Sequence, residues 1–388
     1  MIDSIVYINY QPLTEKVKRD FYFDLVVERG YFIEYWDLTN IYFPNILQDH
    51  LSEECIIRFN SYAEIENAIA GKQNDRSLYV LMVSYESRVL KLFSLLTKYH
   101  CKTSFFARGA IPSQAGNIKS MMIKISKALR PTLLFSFFEN KYASIQKKQG
   151  KIKYHDFIFN AGEFGFQFIG YGYQIDRAKA TIIPLNSFDY DRYISASGCS
   201  NLLEHRYCLF LDEYLPFHPD FHLLGIETIE PTSYYKELNR CFDLIEKKYN
   251  VEVVIAAHPK AEKYRTNNYF NGRRIFFDKT AELTKYAEFT LAHASTSISF
   301  TVLEKKPIYF LFCDQIKSKM PTIFHLILSF SASLEGALVN MSDLYSEMTP
   351  LNPVNHAKYI DYKYKYLTSK DSERRISADI FCDFISKL

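Results

Sequence analysis

Residues 4–38 have the sequence SIVYINYQPLTEKVKRDFYFDLVVERGYFIEYWDL, and their pattern is the strongest indication of the fold class. The apolar run at 4–8 predicts a buried strand, and the apolar spacing of 13–29 predicts a helix that ends at Gly30. A second strand is predicted at 32–38. Because a strand, a helix and a further strand form the repeating unit of parallel sheets, the chain is expected to begin with a βαβ unit.

The same alternation continues through the first half of the chain. Helices are predicted at 87–99 and 118–127. Further apolar runs predict strands at 56–59, 78–84, 102–107, 154–160 and 179–184. About six or seven strands interleaved with helices predict a doubly wound parallel sheet.

A polar stretch with turn residues then separates this half from a second one with the same pattern. Further strands are predicted at 207–211, 251–257, 274–277, 289–292 and 308–312, with helices at 233–249, 280–286 and 297–304. We therefore predict an α/β protein of two Rossmann-like doubly wound domains that face each other across a cleft. The predicted parts are an N-terminal domain at 1–190, a hinge at 191–206 and a C-terminal domain with C-terminal helices at 207–388.

Composition excludes several classes of protein. The chain has 388 residues, 48% of them hydrophobic, and 47 Lys and Arg against 44 Asp and Glu give a net charge of +3. This charge is too small for the basic surface of a nucleic-acid-binding protein. The seven cysteines are scattered without zinc-site spacing, which favours a reducing cytosol. The N-terminus lacks the pattern of a signal peptide, and no apolar run is long enough to span a bilayer, so a cytoplasmic protein is expected.

His258, Pro259 and Lys260 directly follow a predicted buried strand. Ligands of parallel sheets bind at the carboxyl ends of the strands, so an imidazole there can donate a hydrogen bond to a phosphate and stabilise charge on a leaving group. The alternative is that His258 is a loop residue without a functional role.

A hydroxyl cluster follows another predicted strand. Ser295, Thr296 and Ser297 can cap the next helix and, with its free N–H groups, form a phosphate site; the alternative is capping alone. Glu304 ends this helix and is a candidate for binding ribose hydroxyls, or it is an ordinary surface carboxylate.

Asp212 and Glu213 also follow a strand directly, and they either line the cleft or order their loop. Lys279 and Thr280 begin the helix that carries Glu282, and they are weaker candidates for nucleotide binding.

A transferase needs a base to deprotonate the attacking hydroxyl, and a carboxylate at a strand end suffices. In the first domain Glu86 is the first candidate and Asp37 the second, while Gln11 is a further candidate for the cleft. Surface carboxylates at strand ends are the alternative. The Asp189-Tyr190-Asp191 triplet has the spacing of a metal-binding DxD motif, but it lies in the hinge, where helix capping is favoured. No metal site is predicted.

Taken together, HPK at 258–260 and HASTS at 293–297 resemble the paired HP and Ser/Thr motifs of bacterial sialyl- and polysialyltransferases, which are GT-B glycosyltransferases. Similar pairs occur in capsule and O-antigen transferases for Kdo-like sugars. The resemblance covers the second half, including 210–212 and 304–307, and implies that His258 contacts the leaving phosphate while the 295–297 hydroxyls bind it further. No acidic motif matches in the first domain, so the resemblance implies no catalytic base.

The resemblance implies a nucleotide-sugar donor, with a CMP-linked nonulosonic acid or Kdo-like sugar as the first choice. The sugar would move to a glycan or lipid-linked oligosaccharide by inverting displacement, without a metal or other cofactor. The alternatives are a UDP- or dTDP-sugar transferase, a CDP-glycerol or pyruvyl transferase on the same scaffold, and a non-catalytic component of polysaccharide assembly. The Tyr- and Lys-rich tract 359–375 suggests peripheral membrane association, or else a solvated helix face.

Overall fold

The computed structural model describes residues 1–44, 51–112, 131–168, 173–219, 221, 227–344 and 348–388. These residues divide into two compact units. The first unit contains 1–110, 131–188 and Thr368–Leu388; the second contains 111–112 and the described residues of Asp189–Leu367. The structure therefore places 368–388 in the first unit, whereas the sequence predicted them in the second domain.

The first unit is built on a seven-stranded sheet in the order β3-β2-β1-β4-β5-β6-β7, and every neighbouring pair is parallel. Alternate residues of β1 enter different clusters: Val6 and Ile8 belong to one, and Ile5 and Tyr7 to the other. Burial on both faces is what a doubly wound sheet requires. The strands are β1 Ser4–Asn9, β2 Phe32–Asp37, β3 Ile56–Arg58, β4 Ser77–Leu81, β5 Lys102–Ala107, β6 Phe157–Ala161 and β7 Thr181–Leu185.

The predicted helix at 13–29 is two helices, because Tyr22 takes a left-handed conformation with φ of 66°. Gly30 also has positive φ, 85°, directly after the second helix, as expected of a residue that ends a helix. The predicted helix at 118–127 lies outside the described residues. The helices up to the end of the first sheet are α1 Glu15–Asp20, α2 Phe23–Glu28, α3 Thr39–Tyr42, α4 Tyr62–Ala70, α5 Leu90–Lys98, α6 Pro131–Lys148 and α7 Tyr173–Lys179.

The C-terminal segment is held in the first unit by Asn186, which is fully buried. Its Nδ2 donates to the carbonyl of Arg375 over 2.6 Å, and its Oδ1 accepts from Thr368 Oγ1 over 2.6 Å. Phe381 then packs on the sheet, with its ring centroid 5.0 Å from that of Phe159. Buried amide hydrogen bonds and ring packing explain why the last helix joins the first sheet.

The second unit has a six-stranded parallel sheet in the order β10-β9-β8-β11-β12-β13. The strands are β8 Tyr207–Leu211, β9 Glu252–Ala256, β10 Ile275–Phe276, β11 Thr290–Ala292, β12 Ile308–Phe312 and β13 Ala337–Asn340. The remaining helices of the chain are α8 Phe188–Ser195, α9 Pro231–Tyr249, α10 Thr280–Tyr286, α11 Ile298–Leu303, α12 Asp314–Lys319, α13 Pro321–Leu334, α14 His356–Tyr362 and, in the first unit, α15 Ser377–Ile385. The sequence did not predict β13, whose short ALVN run is exposed at Leu338. The prediction of two doubly wound α/β domains is confirmed.

Three of the four tyrosines in the tract 359–375 are withdrawn from solvent, and Tyr364 is half-buried. Tyr359, Tyr362 and Tyr366 are buried, and Tyr359 donates to the carbonyl of Lys306 over 2.8 Å. Lys365 forms an ion pair with Asp361 one helical turn earlier. These tyrosines are therefore core residues of the second unit and not a membrane-facing surface. In the described part of the chain, no helix is both long enough and apolar enough to cross a bilayer.

Candidate functional site

The order of the second sheet reverses between β8 and β11, which makes the carboxyl ends of these strands the topological switch point. Asp212 and Glu213 follow β8, His293 follows β11, and Ala257 and His258 follow β9, the other neighbour of β8. Three loops that are distant in sequence therefore meet at the edge where parallel sheets bind ligands.

Asp212 joins the loops that follow β8 and β9. Its Oδ2 accepts from the backbone N–H of His258 over 3.3 Å, and its Oδ1 accepts from Tyr264 over 3.2 Å. The carboxyl is 4% exposed. Burial raises its pKa to about 6, although these hydrogen bonds act in the opposite direction. Asp212 thus orders the loop that carries His258.

Glu213 joins the loops that follow β8 and β11. Its Oε2 accepts from the backbone N–H of Ala294 over 2.8 Å. Burial, the Ala294 hydrogen bond and the charge of Asp212 together bring its pKa to about 7: burial has the largest effect and raises it, the hydrogen bond lowers it, and the charge raises it. Among the described residues, its Oε1 makes no hydrogen bond to a side chain or to the backbone. A carboxyl with a pKa near neutrality at a ligand-binding edge is suited to proton transfer.

His258 has its tautomer set by its own loop. Its Nδ1 accepts from the backbone N–H of Lys260 over 3.1 Å, so the proton of the neutral ring is on Nε2. The ring is half-buried, and Pro259 and Lys260 are exposed. An N–H group on Nε2 is the kind of donor that the predicted phosphate contact requires.

A second histidine lies beside it. The ring centroid of His218 is 4.8 Å from that of His258. The sequence could have identified His218 as a site residue, because His218-Pro219 repeats the dipeptide His258-Pro259. Both dipeptides follow a buried strand. The sequence analysis did not predict a role for His218 because the preceding strand ends well before it, at Leu211. Only the fold brings this later part of the loop to the end of the neighbouring strand β9.

The hydroxyl cluster has a different internal arrangement from the prediction. Ser297 is at the N-cap position of α11 without a capping hydrogen bond from its side chain, and Ser295 Oγ instead accepts from the Ser297 N–H over 3.2 Å. Ser295 is buried, Thr296 is exposed and Ser297 is half-buried. The helix has only six residues, so its dipole contributes less than the predicted helix at 297–304 would.

His293, which opens the HASTS motif, is a core residue. Its Nδ1 donates to the carbonyl of Leu311 over 2.7 Å, so its Nε2 accepts from Tyr234 over 2.8 Å. Burial lowers its pKa to about 4. The ring is therefore neutral and fully bonded, and it positions β11.

Three other predicted nucleotide-binding residues are Lys279, Thr280 and Glu304. Lys279 and Thr280 follow the outermost strand β10, and Lys279 forms an ion pair with Glu282 over 3.1 Å. Glu304 is the C-cap of α11. A helix between parallel strands runs back along the sheet, so Glu304 lies towards the opposite edge, where β12 begins. The predicted ribose contact of Glu304 is therefore not supported.

In the first unit, both carboxylate oxygens of Asp37 have protein contacts. It is 2% exposed, and its Oδ1 accepts from both the N–H and the hydroxyl of Thr39, over 2.9 and 2.5 Å. Its Oδ2 lies 3.7 Å from Arg58 Nε. These contacts order the start of α3, so the structure does not present Asp37 as a base.

Glu86 and Gln11 also have local contacts. Glu86 accepts from Arg88 Nε, and its side chain is 29% exposed. The carbonyl of Gln11 accepts from Tyr35 over 2.7 Å, while the residue is exposed. Asp189 and Asp191 lie in the first turn of α8, where a negative charge interacts favourably with the helix dipole. Among the described residues, no three His, Cys, Asp or Glu side chains cluster closely enough to hold a metal ion.

Comparison with solved structures agrees with this architecture. The chain is similar to two variant structures of the wall teichoic acid polymerase TagF, with TM-scores of 0.52 and 0.51, 11% identity, and coverage of 99% of this chain and 88% of the other. It is also similar to a UDP-GlcNAc 2-epimerase from Methanocaldococcus jannaschii, with a TM-score of 0.48, 12% identity and full coverage of both chains. No model of a known protein family matches the chain, and no curated protein matches it. The fold class is GT-B, with two Rossmann-like doubly wound domains.

Proposed function

We propose that this protein is a glycosyltransferase that binds a nucleotide-sugar donor at the switch point of the second sheet. The observation that carries the proposal is the pair of hydrogen bonds by which Asp212 and Glu213 join the loops after β9 and β11. These bonds hold a histidine donor, a hydroxyl cluster and a carboxyl of near-neutral pKa at one sheet edge. Such a set of groups meets the needs of displacement from a phosphate leaving group.

The phosphate is proposed to bind between His258 and the 295–297 hydroxyls. As the bond between the anomeric carbon and the phosphate oxygen breaks, its electron pair goes to the phosphate. The His258 Nε2–H donates to that oxygen and stabilises the new charge. Lys260 adds a positive charge on the same loop. This arrangement supports leaving-group stabilisation by protein groups, and the proposed reaction uses no metal.

The proton of the attacking hydroxyl is proposed to go to Glu213. The acceptor oxygen forms a bond to the anomeric carbon from the side opposite the leaving phosphate, which inverts the configuration, and Glu213 Oε1 takes the proton. Glu213 is better suited to this task than Asp37, whose Oδ1 accepts from Thr39 and whose Oδ2 faces Arg58, or than Glu86, which is paired with Arg88. The acceptor is proposed to be a glycan or a lipid-linked oligosaccharide.

The donor is proposed to be CMP-linked, and the sugar to be a nonulosonic acid or Kdo-like sugar, since HPK and HASTS resemble the sialyltransferase motifs. A second candidate is transfer from CDP-glycerol, which the fold similarity to a wall teichoic acid polymerase favours. Both candidates use a cytidine nucleotide, so they differ in the group transferred and not in the phosphate site.

The test is thermal unfolding with CMP, CDP, UDP, dTDP and GDP, each with and without EDTA, for the wild type and His258→Ala. A ligand at about 100 times its Kd adds about 2.7 kcal/mol to the stability of the domain that binds it, which is a shift of several degrees. The expected result is a cytidine-selective shift that EDTA leaves unchanged and the variant loses. A shift with UDP or dTDP would retain the transferase and reject the donor, and no shift with any nucleotide would reject the proposed function.

A further inference from the structure

The first sheet has its own switch point, between β1 and β4, and a single arginine lies across it. Tyr10 directly follows β1, and Arg88 is in the loop after β4. The guanidinium carbon of Arg88 is 4.8 Å from the ring centroid of Tyr10 and 5.7 Å from that of Phe43. Its Nε donates to Glu86 Oε1. Two aromatic rings and one carboxylate therefore fix the orientation of this guanidinium.

The outer part of the same guanidinium is not used by the described residues. Within the described ranges, neither terminal nitrogen of Arg88 makes a hydrogen bond, and the side chain is 45% exposed. A planar guanidinium with two free amino groups pairs in bidentate fashion with a carboxylate or phosphate. Because its rotamer is already held, binding an anion there costs less side-chain entropy than at a mobile surface arginine.

Aromatic side chains and a second cation surround this group. Tyr42 and Tyr62 are joined through their hydroxyls over 2.6 Å, and the Tyr42 ring centroid is 5.8 Å from that of Tyr10. Lys91 Nζ lies 4.8 Å from the ring centroid of Tyr62. Arg88 and Lys91 against Glu86 leave one excess positive charge. Half-buried tyrosines next to a fixed cation suit a ligand that has both an apolar face and an acidic group.

We propose that this edge of the first sheet, formed by Tyr10, Tyr42, Phe43, Tyr62 and Arg88, is a binding site for an acidic saccharide. The carbon-bound hydrogens of a sugar ring would pack on the tyrosines, and its carboxylate would pair with the two terminal nitrogens of Arg88. The site's role as the acceptor site rests on the proposed function, but its affinity for acidic saccharides does not.

The test measures the Kd of sialyllactose, of a hyaluronan tetrasaccharide and of neutral lactose by calorimetry. Wild type is compared with Arg88→Ala and with Arg88→Lys, which keeps the charge but loses the planar fork. The matched control is Arg76→Ala, because Arg76 is similarly exposed, at 52%, but lies before β4 at the opposite edge, paired with Asp3. We expect at least one acidic saccharide to bind more tightly than lactose. Arg88→Ala should weaken this binding about tenfold to a hundredfold, and Arg88→Lys should weaken it in part. Arg76→Ala should leave it unchanged.

The proposal is overturned if wild type binds neither acidic saccharide, or if it binds lactose as tightly as the acidic saccharides. It is also overturned if the Arg88 variants bind with the same affinity as wild type. The Tm of Arg88→Lys is also measured. If it equals that of wild type, misfolding is not the cause of weaker binding. The nucleotide-induced Tm shift is measured on the same variants. A protein that shifts with a nucleotide but binds no acidic saccharide rejects this inference alone, and the reverse result rejects the proposed function alone.

Discussion

The backbone N–H of Ala294 donates to Glu213 Oε2 over 2.8 Å, which joins the loops that follow β8 and β11 across the switch point of the second sheet. One oxygen of the carboxylate is therefore used to hold its position. The other is available for chemistry, on a group whose pKa burial raises to about 7.

Glu213→Gln should lower kcat by about 100- to 10,000-fold, because the amide cannot accept a proton. The amide oxygen can still accept from Ala294, so the nucleotide-induced Tm shift should be kept. In wild type the base must be ionised, so kcat should rise with pH through about 7. The measurement is a donor-turnover assay across pH. Glu288→Gln, at an exposed pair with Arg206, is the matched control. An undiminished kcat in Glu213→Gln would exclude Glu213 as the base.

The rings of His218 and His258 should act on one phosphate. His218→Ala and His258→Ala should each weaken CMP binding about tenfold, and the double variant should lose less than the product of the two, because groups that share a ligand are coupled. Calorimetry with CMP and with cytidine measures this. Affinity for cytidine should not change, since it has no phosphate. Equal losses for CMP and cytidine would show that His218 only packs against its neighbours.

His293 should make the protein less stable in acid. Burial lowers its pKa to about 4 in the folded state, against about 6.5 in the unfolded chain. The unfolded state therefore binds the proton first, and stability falls as the pH drops from about 6.5 to 4, by about 3 kcal/mol. Asp212 and Glu213, whose folded pKa values are raised, contribute the opposite slope as the pH rises. Urea unfolding of His293→Gln and wild type at a series of pH values isolates the histidine contribution. The same pH slope in both would contradict the prediction.

The buried ion pair of Lys147 and Asp176, with an N–O distance of 2.5 Å and no exposure of either side chain, should show strong coupling. Lys147→Met should destabilise the first unit by about 3 to 5 kcal/mol, because it leaves a buried carboxylate without its partner. Adding Asp176→Asn should recover part of the lost stability, since the amide is neutral. Its oxygen can still accept the hydrogen bond that the His155 N–H donates to Asp176 over 2.9 Å in the wild type. Chemical denaturation of the single and double variants measures both effects. A double variant less stable than Lys147→Met would contradict the prediction.

Much of the architecture follows from local sequence. Apolar runs such as 253–257 predict buried strands, because a strand that is apolar on both faces needs cover on both faces. The position of His258 directly after such a run places it at the ligand-binding edge without any further information. The same reasoning failed for the 13–29 helix, where the left-handed conformation of Tyr22 is set by packing and has no signal in the apolar spacing.

Short-range periodicity is enough to predict two parallel-sheet domains and to place His258, Asp212 and Ser295 at strand ends. Which strand ends are neighbours depends on the tertiary structure, which brings Ala294 to Glu213 and places His218 beside His258. It also decided that 368–388 return to the first sheet, through hydrogen bonds to Asn186. Strand order and side-chain burial depend on contacts between residues far apart in the chain, and the burial raises the pKa values of both Asp212 and Glu213.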